Sequence, residues 1–256
     1  MTTIAAADTP LVQYVLRLAD NALVLGHRLS EWCGHGPMLE EDIALANVAL
    51  DLIGQARALY AYAGAAEGEG RDEDQLAYLR DAGGYRNVLL VEQPNGDFAA
   101  TIARQFLYAA YQAPFWRALS ASRDDTLAAI AAKAEKEAAY HLRHAAEWLI
   151  RLGDGTAESR ARAQAALDEL WMYTGELFEA DAIERGLIER GAAVDPAAIR
   201  PEWDETVDKV LSEATLARPP DGWMQTGGRT GRHSEHLGYI LAELQFLQRA
   251  YPGAKW

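Results

Sequence analysis

The chain has 256 residues, half of them apolar, with 24 Lys and Arg against 38 Asp and Glu and a formal net charge of −14. That length buries a large core, and so acidic a balance lacks the basic footprint that nucleic acid or an anionic membrane surface requires. A single cysteine, Cys33, excludes an internal disulfide framework and fits a reducing cytoplasm. The N-terminal residues 1–8 lack the basic start and apolar core of a signal peptide, and no stretch approaches the ~20 uninterrupted apolar residues of a membrane span. A soluble cytoplasmic protein is expected.

Helical signals follow one another along the chain. A first helix is predicted over about residues 10–31, with Pro10 at its start and the turn Gly34-His35-Gly36-Pro37 after it. A second, over about 40–63, is apolar on nearly every side through Ile43, Leu45, Val48, Leu50, Leu52, Ile53 and Leu59, the pattern of a helix buried in a bundle. It runs into a glycine-rich loop at 64–70. A short helix is expected over about 74–80, and strand-like alternation is confined to 87–91. Pro94-Asn95-Gly96-Asp97 is a turn and capping signal. A third long helix then spans about 97–120, with Pro114 as a kink or a mark of its last turns.

The fourth long helix covers about 125–152 and stops at Gly153-Asp154-Gly155. A fifth begins near Thr156 and carries Leu167, Leu170, Trp171, Leu177 and Phe178. Beyond Gly191 the chain is looser, with helices expected over about 201–216 and 233–250, separated by a loop that ends in Gly227-Gly228. There is no repeat of fixed period. The composition, rich in Ala and Leu, favours one all-α domain over 1–256, with a core bundle over about 10–183 and a helical extension over about 184–256.

The candidate chemistry centres on Glu137 and His141. In a four-helix bundle, Glu-x-x-His pairs project ligands inward toward a di-iron centre. Here the residue three before His141 is Ala138, which has no donor atom, and Glu137 lies one residue out of register. Asn47, Asp51 and Gln55 form a polar stripe at spacing four on the second helix, and Lys133, Glu137 and His141 form another on the fourth. Iron-type metals want several carboxylates with imidazoles, and this donor supply is poor. At roughly 40° apart around the helix, Glu137 and His141 can still touch one ion. The other reading is a buried ionic network in which Lys133 or a nearby Arg supplies the metal's charge.

Ser-His-Asp catalysis has no support, because no Gly-x-Ser-x-Gly is present. Cys33-Gly34-His35 lacks the second ligand pair of a zinc site. Trp32, Trp116, Trp148, Trp171 and Trp203 read as packing. One locally basic feature remains, 226–233, where glycines and Arg229 and Arg232 precede a helix. It could hold a phosphate or an acidic partner, or be a solvated loop paired to neighbouring acids. Cations there oppose the helix dipole unless an anion sits nearby.

Leu16-Arg17-Leu18-Ala19-Asp20-Asn21, Ser30-Glu31-Trp32-Cys33-Gly34-His35-Gly36-Pro37, Ala44 through Arg57, Leu90 through Phe98 and His233-Ser234-Glu235-His236-Leu237-Gly238 together resemble the family of C subunits of bacterial phenylacetyl-CoA epoxidases. The resemblance runs from Leu16 to Trp256. It implies a ferritin-like four-helix bundle with additional C-terminal helices, in a multicomponent oxygenase of phenylacetate catabolism. In such an enzyme a homologous catalytic subunit carries the di-iron centre and binds the acyl-CoA. Members of the present family are its structural partners. A bridging subunit joins the two, and a flavin and iron–sulfur reductase delivers electrons from NADPH.

The enzyme's ligand pattern does not carry over. Where a Glu-x-x-His would fall on the second helix this chain has Leu52 and Gln55, and on the fourth Ala138 and His141. The single carboxylates of the first and third helices correspond to Ala22 and Ala109. The resemblance therefore implies no catalytic residue, no metal ligand and no cofactor in this chain, with the di-iron centre in the partner catalytic subunit. Asp51, Gln55, Glu137 and His141 become a degenerate polar core, and Arg229 and Arg232 an anion or partner contact. The alternative is a catalytic di-iron protein built on the displaced ligands Asp51, Glu137 and His141.

Overall fold

The computed structural model describes residues 3–254. Met1, Thr2, Lys255 and Trp256, the ends of the expected domain, lie outside the described residues. Eleven α-helices follow in order: α1 (Pro10–Ser30), α2 (Leu39–Glu67), α3 (Glu73–Tyr78), α4 (Leu89–Glu92), α5 (Phe98–Leu119), α6 (Asp125–Gly153), α7 (Ala157–Leu170), α8 (Ala182–Glu189), α9 (Arg200–Glu213), α10 (Glu235–Leu244) and α11 (Phe246–Ala250). Among the described residues there is no β-strand, and the fold is all-α. Its long helices form two hairpins, α1–α2 and α5–α6, the helix complement of a ferritin-like bundle.

Local chemistry explains the helix ends. Pro10 opens α1, where its missing N–H costs nothing. The carboxylates of Asp97 and Asp124 accept the free N–H groups of Ala100 and Leu127, both at 2.9 Å, at the starts of α5 and α6. Thr156 Oγ1 accepts from Ser159 N at 3.1 Å and starts α7. Pro114 sits inside α5, which continues unbroken to Leu119.

Several elements differ from the sequence expectation, and α2 runs on to Glu67, into the stretch expected as a loop from 64. The alternating stretch 87–91 forms no strand: Val88 is extended, and from Leu89 the chain makes the single-turn helix α4. A short apolar run cannot be assigned by periodicity alone, and tertiary bonds settle it. Asn21 Oδ1 accepts from Val88 N at 2.8 Å, and Arg28 donates to the Glu92 carbonyl at 2.9 and 3.2 Å. The fifth helix stops at Leu170 and passes into two 3₁₀ turns, because Trp171 and Phe178 turn into an aromatic cluster around Trp203. The last helix breaks at Gln245, whose buried amide donates to the Arg80 carbonyl at 2.9 Å. α8 has no counterpart among the predicted helices, although Asp181 caps it by accepting from Ile183 N and Glu184 N.

The described residues fall into two compact units, 3–93 with 227–254, and 94–226. The helical extension expected from residue 184 is shared between them, since the chain returns to the first unit at Gly227. In the first unit α1 and α2 cross closely at Gly26, where a Cβ would lie 3.1 Å from Ile53 and 3.3 Å from the Ala49 carbonyl. The 227–231 turn packs its backbone on the 83–89 segment. A Cβ on Gly228 would stand 2.1 Å from the Asn87 carbonyl oxygen.

In the second unit Trp203 is fully buried and donates its indole N–H to the Leu107 carbonyl at 3.0 Å, fixing α9 on α5. Tyr111, Phe115, Phe178 and Trp171 extend this cluster, and the guanidinium of Arg200 lies over both the Phe178 and Trp203 rings.

Because backbone rather than a pliable side chain opposes it, Gly228→Ala is expected to lower stability by about 1–3 kcal/mol. Gly222→Ala, with open space around its Cα, serves as the neutral control in the same thermal melt.

Candidate functional site

The four positions where the resemblance places carboxylates are occupied by Ala22, Leu52, Ala109 and Ala138. Each is at most 1 % exposed. They are interior positions, and they carry methyl and isobutyl groups without a donor atom. Among the described residues no group of three or more His, Cys, Asp or Glu side chains is placed to hold a metal ion. The residues at these positions do not fit a di-iron centre.

The predicted polar residues divide two and two. Asp51 and Gln55 lie on α2 in the first unit, and Glu137 and His141 on α6 in the second. Neither stripe faces inward along its whole length. On α2, Asn47 is exposed, Asp51 half-buried and Gln55 buried. On α6, Lys133 is 76 % exposed, Glu137 15 %, and His141 is completely buried. Spacing four advances about 40° per step around a helix, so such a stripe spirals from solvent into the core. Lys133, largely in solvent, pairs with Glu137 at 3.5 Å across one turn of α6. The Tyr140 ring meets the His141 ring edge-on and stacks on His144, at centroid distances of 6.2 and 6.1 Å.

The glycine–arginine loop, from Gly227 on, belongs to the first unit. Its glycines permit the close backbone approach to Asn87 and Gly83. The anion that the α10 N-terminus calls for comes from within the first unit: Glu92 accepts from Ser234 N at 2.6 Å and from His233 Nδ1 at 2.8 Å. Glu92 is fully buried and also accepts from Asn87 Nδ2 at 2.8 Å. Arg232 is exposed and Arg229 half-buried, so of the two arginines Arg232 is open to an outside contact.

A buried polar constellation of the first unit escapes the motif reading of the sequence. Asp20 on α1 and Arg80 after α3 form a completely buried bidentate ion pair. Tyr60 of α2 donates to Asp20 at 2.5 Å, and the Arg86 N–H donates to it at 2.7 Å. Arg80 satisfies its remaining donors on the carbonyls of Leu76 and Gly84, at 2.6 and 2.9 Å, and lies 4.4 Å above the Tyr85 ring. Burial, and then the Asp20 charge, push the Tyr60 phenol well above its ordinary value. The available signal was Asp20-Asn21 in the middle of a mostly apolar helix, since buried charge in a core demands a partner.

Fold and site together describe an all-α protein with a completely buried histidine, His141, on α6 and apolar side chains at positions 22, 52, 109 and 138. The family model for phenylacetic acid catabolic proteins matches residues 1–256, and the chain belongs to that family. It is 54 % identical over 246 residues to the C subunit of 1,2-phenylacetyl-CoA epoxidase from Escherichia coli (strain K12), covering 96 % of this chain and 99 % of the relative. Among the described residues no helix is long and apolar enough to cross a membrane.

Two consequences of the buried network are measurable. Asp20→Ala strands the Arg80 guanidinium and should cost about 3–5 kcal/mol in urea unfolding, of which removing both charges with Asp20→Ala and Arg80→Met recovers a part. Burial alone would lower the His233 pKa, but its hydrogen bond to Glu92 and the Glu92 charge raise it above the usual 6.5. A raised folded-state value stabilises fully below pH 6.5 and is lost as pH climbs through that value. Stability should therefore fall above pH 6.5 in the wild-type chain, and by less in His233→Gln, in denaturant titrations at stepped pH.

Proposed function

We propose that this chain is the structural, non-catalytic subunit of a multicomponent di-iron oxygenase that epoxidises the ring of phenylacetyl-CoA in phenylacetate degradation. The observation that supports it is the set of four buried apolar side chains, Ala22, Leu52, Ala109 and Ala138, at the positions of the expected carboxylates. Oxygen activation by a carboxylate-bridged iron pair needs several anionic oxygens to hold the metal charge. His141 and the half-buried Glu137 are a remnant of that supply, and Glu137 is already engaged by Lys133.

On this reading the chain holds no cofactor of its own. The di-iron centre belongs to a homologous catalytic subunit, which supplies the oxygen chemistry. A bridging subunit joins the two, and the reductase acts through the assembled complex in the cytoplasm. The contribution of this chain is rigidity. A bundle core filled with methyl groups needs no metal to neutralise buried carboxylates, so it can fold first and act as the fixed half of an assembly.

Metal analysis of the purified chain should find far less than one iron per chain, and His141→Ala in this chain should leave turnover of the assembled complex intact. Two irons per chain, or turnover abolished by His141→Ala, would favour the displaced-ligand enzyme built on Asp51, Glu137 and His141. The same reasoning gives a stability test: Leu52→Glu or Ala138→Glu should each cost about 3 kcal/mol or more in metal-free buffer.

A further inference from the structure

Helix α2 is apolar on nearly every side, yet part of that apolar surface faces solvent. Leu45, Val48, Leu52 and Leu59 are buried, whereas Leu39 is 72 %, Ile43 53 % and Leu50 65 % exposed. These three residues are not scattered. At 100° per residue, Leu39, Ile43, Ala46, Leu50 and Gly54 fall within one narrow strip along the helix, and exposed Met38 extends it at the N-terminal end. The strip is about 22 Å long. It contains no charged residue until Arg57, which is held by Glu73 at 3.1 Å. Ala46 and Gly54 between the large side chains leave room for another helix to approach closely.

The other long helices have no such mismatch. α1 and α5 are buried over most of their residues, and the exposed side of α6 carries Lys133, Lys136, Arg143 and Glu147. An apolar helix face of this length left in water marks an interaction surface.

The charges beside the strip define what fits it. Exposed Glu40 and half-buried Asp51 lie along one flank, and Glu40, Glu41 and Asp42 make the first turn acidic. A second copy would set acid against acid across the seam, in a chain that already carries a net charge of −14. The complementary surface is an amphipathic helix with an apolar seam and a basic flank.

We propose that the outer strip of α2, formed by Met38, Leu39, Ile43 and Leu50, is the docking surface for such a helix of the companion catalytic subunit. The inference rests on the structural-subunit reading, and names the surface through which that role is exercised. Apolar side chains at i, i+4, i+7 and i+11 seat a partner helix as a hydrophobic seam, while Glu40 selects its register through basic side chains at the rim.

The test co-produces the full chain with the catalytic subunit of the same enzyme and measures assembly by titration calorimetry and analytical ultracentrifugation. Ile43→Lys with Leu50→Lys should raise the Kd at least 100-fold, and Glu40→Lys should weaken assembly and flatten its salt dependence. Lys136→Glu on α6 should leave affinity unchanged. The serine pair Ile43→Ser with Leu50→Ser repeats the measurement if the lysine pair loses helicity by circular dichroism, and it too should weaken assembly.

Wild-type assembly that both pairs leave untouched overturns the α2 surface while the structural role stands. If the wild-type chain does not bind the catalytic partner at all, both ideas are overturned. If the wild-type chain dimerises by itself, the substitutions abolish only that dimer, and binding of the catalytic partner is unaffected, then the occupant is a second copy and the proposal is wrong.

Discussion

The first unit depends on one completely buried ion pair, Asp20 with Arg80. A charge pair in a core returns little net stability, because desolvation offsets most of its attraction. Its effect is specificity. Asp20 can be satisfied only if Tyr60 of α2, the Arg80 guanidinium and the Arg86 backbone all converge on it. The irregular segment after α3 is therefore held to the α1–α2 hairpin in one arrangement. Neighbouring bonds extend the same logic, with Asn21 fixing Val88 and Arg28 fixing the Glu92 carbonyl.

That segment in turn places the C-terminal helices. Once Glu92 is buried, its carboxylate needs donors, and Ser234 N, His233 and Asn87 provide them. The N-terminus of α10 thus docks on a fixed negative charge. Residues 227–231 can lie flat on 83–89 because glycine backbone meets backbone there. Three of the stretches that carry the family resemblance, around Asp20, Glu92 and His233, meet in this network. Their shared network gives these stretches an architectural role.

The second unit is organised differently. Its core is aromatic, with Trp203 at the centre and arginines lying over the rings, and its long α6 helix keeps a charged outer face. The interior positions of both hairpins carry alanine or leucine where a di-iron site needs acids. An apolar interior of that kind is stable without an ion, which suits the structural role proposed for the chain.

The sequence by itself determined the helical class, the starts of the four long helices to within a residue though not the end of α2 at Glu67, and the absence of donor atoms at Ala22, Leu52, Ala109 and Ala138. Helix periodicity and end signals are local, and a methyl group binds no metal in any fold. Tertiary structure alone decided which side of α2 meets solvent, so that Leu50 is exposed while Leu52 is buried. It also turned 87–91 from an apparent strand into a turn of helix, and chose Glu92 rather than an external phosphate as the anion at α10. These outcomes depend on pairings between residues 40 to 141 positions apart in the chain, and no local pattern encodes which buried charge will find which partner.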